Sequence, residues 1–68
     1  MADQTLGQKR VRASFNPAQD SKVDDIKQRT ADLIDECERL KAKDPRLAAL
    51  AQTAYEEACM WAVKAATA

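Results

Sequence analysis

From Val23 onward the apolar or small positions fall at Val23, Ile26, Thr30, Leu33, Cys37 and Leu40, with Ile34 beside Leu33, in steps that alternate three and four. That period predicts an amphipathic helix with a coiled-coil-like seam. Ser21 marks its start, because a serine hydroxyl can accept a free backbone N–H, and Asp24 and Asp25 place carboxylates at the positive helix end. Lys41 and Lys43 suit the opposite end. Asp44-Pro45 then restarts a helix, with aspartate as cap and proline at the first helical position, where it forfeits no hydrogen bond. The second helix carries Leu47, Leu50, Ala51, Ala54, Ala58, Trp61, Ala62 and Ala65 along one broad face, without Gly or further Pro. At about 1.5 Å per residue each helix spans roughly 34 Å. Only a tight turn separates them, so an antiparallel αα-hairpin is expected.

Ahead of the hairpin, Asp3 to Ser14 reads as a short helix with Leu6 and Val11 on one side, weakened by Gly7. Asn16 to Asp20 reads as a turn, since a residue before proline avoids helical backbone and Asn and Asp bond nearby backbone groups. The fold class is therefore all-α: one domain over residues 1–68, with an N-terminal segment and turn over 1–19 and the hairpin over 20–68. A chain of 68 residues buries a small fraction of its surface, and alanine side chains bury little area each at about 25 cal/mol per Å². Self-association is the expected remedy, with Trp61, Leu33 and Leu50 at the interface of a homo-oligomer. Cys37 and Cys59 lie inside helical patterns, with no histidine and no CxxC pair, which argues against zinc and for small buried apolar groups in a reduced, cytoplasmic protein.

Formal net charge is zero, which removes bulk attraction to polymeric nucleic acid or to an anionic membrane. The distribution is uneven. Lys9, Arg10 and Arg12 face Asp3 alone in the first fifteen residues, whereas residues 16–44 carry an acidic excess. An anion site should therefore draw on the N-terminal segment. No apolar run reaches bilayer length and none follows the basic residues, so neither a membrane span nor a signal peptide is expected.

Catalysis has little to work with: no histidine, no Gly-rich phosphate loop, no nucleophile elbow, and hence no expected catalytic residue, metal or cofactor. Glu56 with Glu57 and Asp35 with Glu36 are adjacent on helices, point about 100° apart and read as solvated charged faces. The sharper candidate is Phe15, which either stacks on a nucleobase while Arg10, Arg12 or Lys27 meets phosphate oxygens, or pins the N-terminal segment onto the hairpin as a hydrophobic staple. Lys27 sits next to the seam, with its stem along apolar surface. Arg46 stands at a helix N-terminus, where it either adds to the pull on an anion or pairs with Asp44 or Asp35. Trp61, Tyr55 and Met60 read as packing residues.

The order Ser14-Phe-Asn-Pro17, Val23-Asp-Asp-Ile-Lys27, Ala31-Asp-Leu-Ile-Asp35, Tyr55-Glu-Glu-Ala58 and Met60-Trp-Ala-Val-Lys-Ala-Ala-Thr67 resembles the hairpin domain of phage anti-CBASS and anti-Thoeris sponge proteins, from Arg10 to the end of the chain. The resemblance implies a homo-oligomer, commonly a hexamer, that sequesters cyclic nucleotides in the infected cell's cytoplasm without cleaving them. It implies that Phe15 stacks on a base between paired subunits, with Asn16 beside it, Lys27 facing a phosphate and Thr30 in the same ligand-binding set. It further implies that Arg46 and Thr53 line a separate pocket for cyclic trinucleotides at a three-subunit junction. Phe15 stands where some relatives have tyrosine, so stacking survives and a hydroxyl contact is lost. Two other readings predict different behaviour. A helical interaction module would bind a partner helix through the Leu/Ala/Trp face and ignore nucleotides. A nucleic-acid binder using Arg10, Arg12 and Phe15 would show salt-sensitive binding to an oligomer.

Overall fold

Asp44 lies in extended backbone and its carboxylate accepts the Leu47 N–H at 2.9 Å, so a helix begins at Pro45 immediately after the chain has turned through Lys41–Asp44. The computed structural model describes residues 3–13 and 21–68, and these form three helices: α1 Leu6–Arg10, α2 Ser21–Leu40 and α3 Pro45–Ala66. α2 and α3 pack along their length as the expected hairpin, and α1 lies against α2. The core cluster takes Val11 from the exit of α1, Ala31 and Ile34 from α2 and Cys59 from α3, with Ala13, Ile26, Tyr55 and Val63 packed around it. Each helical segment thus contributes to one shared apolar contact.

A five-residue helix is unstable in isolation, and α1 persists through its ends and its docking. At the N-terminus Thr5 Oγ1 accepts the Gln8 N–H at 3.1 Å while Gln8 Oε1 accepts the Thr5 N–H at 2.9 Å, a reciprocal capping box. At the C-terminus Ala13 N–H donates to Gln8 C=O at 2.9 Å and Arg12 N–H to Lys9 C=O at 3.2 Å. This pair is a Schellman cap, which calls for left-handed backbone at the residue usually given as glycine; here it is Arg12, at φ 57°. Gln4 Nε2 closes the turn on the Ala13 carbonyl at 2.8 Å.

Gly7, expected to weaken the first helix, is instead its point of contact. A Cβ at this position would lie 2.0 Å from the Ala31 carbonyl oxygen, so α1 approaches the α2 backbone at a distance only glycine permits. Its N–H donates to Asp35 Oδ1 at 2.6 Å. The helix is also shorter than the Asp3–Ser14 expectation, because the caps close it at Leu6 and Arg10. The expected turn at Asn16–Asp20 lies outside the described residues.

The faces of the long helices differ from the expectation. In α2 the buried positions are Val23, Ala31, Ile34 and Cys37, while Leu33 and Leu40 face outward. In α3 they are Ala48, Gln52 and Cys59, whereas Leu47, Leu50 and Trp61 are all more than half exposed. The inward stripe of α3 is displaced by one residue, about 100°, from the Leu/Ala/Trp face. Small side chains at Ala31, Cys37, Ala48 and Cys59 line the seam beside Val23, Ile34 and Gln52, while Leu33, Leu40, Leu47, Leu50 and Trp61 are left outside. Both cysteines are buried, as expected, and both are free thiols.

Candidate functional site

Where α1 ends beside the middle of α3, a cleft of about 460 Å³ opens, within the usual range for small-molecule sites. Arg10 and Arg12 come from α1 and its exit, Lys27 from α2 and Lys64 from α3; Glu56 and Glu57 supply the opposing charge. Val11, Cys59, Met60 and Val63 contribute the apolar lining, and Thr53 completes it. Cations and apolar surface converge from three helical segments, so the cleft exists only when all three are docked.

The basic groups are held in different ways. Arg10 Nε donates to Glu56 Oε2 at 2.6 Å, and its Nη1 lies 3.5 Å from Gln52 Oε1. Lys27 Nζ donates to the Arg12 carbonyl at 3.3 Å, which the left-handed backbone of Arg12 presents to it. Lys64 Nζ stands 5.1 Å from the centroid of the Trp61 ring, a cation–π contact. The Arg12 side chain is exposed and makes no hydrogen bond or ion pair among the described residues.

Behind the cleft lies Gln52, the one buried polar side chain among the described residues, 1 % exposed. Its Nε2 donates to the Ile34 carbonyl at 3.1 Å and to Glu38 Oε1 at 2.9 Å. Glu38 also accepts from Lys41 at 2.8 Å, and the hydrogen bonds from Lys41 and Gln52 hold its carboxyl below the ordinary carboxylate range. A polar string therefore runs from the turn end of the hairpin through Gln52 to Arg10. Every buried side-chain nitrogen and oxygen among the described residues has a partner, as low-dielectric surroundings demand.

Of the residues named from the sequence, Arg10, Arg12, Lys27 and Thr53 meet in the cleft. Thr30 does not: it is half-buried and its hydroxyl donates to the Ile26 carbonyl at 2.8 Å. Arg46 is exposed at the turn end, roughly 10 Å along α3 from Thr53 at 1.5 Å per residue, and pairs with neither Asp44 nor Asp35. Thr53 lines the cleft and Arg46 does not. Phe15 and Asn16 lie outside the described residues. Sequence reasoning missed Glu56, Glu57, Met60, Val63 and Lys64 as cleft residues; the i, i+4 spacing of Gln52, Glu56 and Met60 with Val63 was the available signal, and it was masked by the Leu/Trp face.

No helix among the described residues is long and apolar enough to cross a membrane. No curated protein and no solved structure matched the chain. A family model described as "Acb2/Tad1, hairpin domain" matches residues 7–67, from the glycine that docks α1 to the last residues of α3. With that match covering α1 from its second residue, both long helices and every residue of the cleft, the chain belongs to the Acb2/Tad1 hairpin-domain family, the family of anti-CBASS and anti-Thoeris sponges.

Proposed function

We propose that this chain is a phage immune-evasion protein that binds cyclic oligonucleotide messengers and holds them uncleaved, blocking CBASS-like antiviral signalling in the cytoplasm of the infected bacterium. The family match carries this reading, and the cleft supports it chemically. Arg10, Arg12 and Lys27 suit two phosphodiester groups through charge-assisted hydrogen bonds, and the apolar lining suits a nucleobase face. Phe15 and Asn16, a few residues beyond Arg12 in the chain, would complete the site, with Phe15 stacking on a base. Thr30, a further candidate of this ligand set, does not line the cleft of the single chain, and Arg46 with Thr53 would serve a second class of ligand, cyclic trinucleotides, across subunits. Neither metal nor cofactor enters this mechanism, and no residue acts as a catalyst.

Sequestration works by mass action: sites must outnumber messenger, and the dissociation constant must lie well below the level that activates the host effector. Nanomolar binding corresponds to about −12 kcal/mol. The assembly would be a homo-oligomer, a hexamer in the reading taken here, closed through the outward face that bears Leu33, Leu50 and Trp61. That same exposed face favours the second reading, a module that binds a partner helix. Calorimetric titration of the protein with cyclic dinucleotides and trinucleotides, followed by recovery of the ligand, separates the two. Tight binding with intact ligand, weakened by Phe15→Ala by roughly 1–3 kcal/mol through lost stacking, is the expected result. Absence of binding by both classes would overturn the sponge and leave the interaction module.

A further inference from the structure

An acidic residue in a cleft built for anions looks misplaced, and Glu56 is one such residue. We infer that Glu56 is a positioning residue: it holds the Arg10 guanidinium in the orientation that meets the ligand, and so raises affinity for an anion despite its own negative charge. The inference rests on the sponge reading above.

Arg10 reaches α3 from the far end of a five-residue helix, and an arginine side chain left free would lose considerable rotamer entropy on binding. Glu56 removes much of that cost beforehand. Its Oε2 takes the Arg10 Nε–H at 2.6 Å, one turn along α3 from Gln52, whose Oε1 lies 3.5 Å from Nη1. Positions four apart on a helix lie on one side of it, so these two acceptors flank the same guanidinium. Gln52 cannot swing away, because it is 1 % exposed and its amide is bonded to Ile34 and Glu38. The planar guanidinium has five N–H donors, and the bonds to Glu56 and Gln52 use Nε and Nη1 and not Nη2. Glu57 is the natural contrast: it lines the same cleft and has no hydrogen bond or ion pair among the described residues.

The two acids therefore predict opposite signs. Affinity for a cyclic dinucleotide is measured by calorimetry at fixed salt for the unmodified protein, Glu56→Ala, Glu56→Gln, Glu57→Ala, Arg10→Ala and the double variant Arg10→Ala with Glu56→Ala. Glu57→Ala should bind more tightly, by simple loss of repulsion. Glu56→Ala should bind about tenfold more weakly, the equivalent of one charge-assisted hydrogen bond. Glu56→Gln, which keeps an acceptor of the same reach, should stay within about threefold of the unmodified protein. In the Arg10→Ala background the Glu56→Ala loss should vanish, which a general weakening of the fold would not produce. Equal or tighter binding by Glu56→Ala, or the same loss with Arg10 already removed, overturns the assignment while leaving the sponge standing. If the unmodified protein binds no cyclic nucleotide, the sponge reading falls and this assignment falls with it.

Discussion

Replacing Gly7 by alanine sets two ordinary rules of helix energetics against each other. By propensity alone the change should stabilise a helix by about 0.8–1.0 kcal/mol. The contact with α2 opposes it, since the new methyl would sit 2.0 Å from the Ala31 oxygen and 2.7 Å from its carbonyl carbon. Both are backbone atoms of a packed helix and cannot turn aside, so α1 has to retreat by more than about 1 Å to reach a tolerable separation, and overpacking of this kind costs about 1–3 kcal/mol. A retreat of that size also breaks the 2.6 Å bond from the Gly7 N–H to Asp35, a hydrogen bond to a charged acceptor worth about 1.5–3 kcal/mol. The two losses overlap, because moving α1 relieves the clash as it breaks the bond. Net destabilisation should be about 2 kcal/mol, which for a domain this small lowers the melting midpoint by about 10 °C. Circular dichroism melts at one fixed protomer concentration test it. A variant as stable as the parent, or more so, would refute the close approach of α1 and with it the account of how Arg10 and Arg12 are placed.

Three further outcomes follow from particular residues. Arg12→Gly should raise stability by about 0.5–1 kcal/mol, because glycine takes the left-handed cap at φ 57° without strain, yet in the sponge reading it should weaken ligand binding by removing a guanidinium from the cleft; paired melts and titrations that move in the same direction would contradict this. Trp61→Ala should leave the hairpin's helicity intact, since the residue is 59 % exposed, while dissociating the proposed homo-oligomer in sedimentation; an unchanged sedimentation coefficient would remove Trp61 from the proposed interface. Glu38 has its carboxyl lowered from 4.5 by hydrogen bonds from Lys41 and Gln52, and Glu36 is lowered by Arg39, so their contribution is present above pH 4.5 and is lost as pH falls through the folded-state values below it. Melting midpoints should accordingly drop below pH 4.5, and less steeply in Glu38→Gln; identical slopes would exclude Glu38 as a source.

The hairpin could be read from the chain because its signals are local: Asp44 and Pro45 act within one turn, and a period of three and four needs no partner to be recognised. The phase of α3 could not. An alanine-rich helix offers two overlapping apolar stripes, Leu47, Leu50 and Trp61 on one and Ala48, Cys59 and Val63 on the other, and the larger residues suggest the wrong one as the inner face. Gln52 was invisible for a different reason, since a buried amide is recognisable only through its partners Ile34 and Glu38, which come from another helix. Likewise Gly7 carries a penalty in any propensity scale, and its use becomes evident only with Ala31 against it. Arg10, Arg12, Lys27 and Thr53 were legible as candidates from residue type and resemblance. That Glu56 belongs with them depends on a contact spanning 46 positions of sequence, beyond the reach of any local rule.

The cleft draws its cations from three separate helical segments, and this has a bearing on the protein's lifetime. In the sponge reading a ligand gripped by all three is bound by the folded chain and released by the unfolded one, so free ligand at a hundred times the dissociation constant would add about 2.7 kcal/mol to stability. Proteases act on opened chains, and a filled copy would open less often than an empty one because opening would cost it the ligand contacts. In the sponge reading, turnover then spares the molecules that have captured a messenger and removes those that have not. Infection would leave behind a population enriched in filled traps, sorted by degradation and by no dedicated signal.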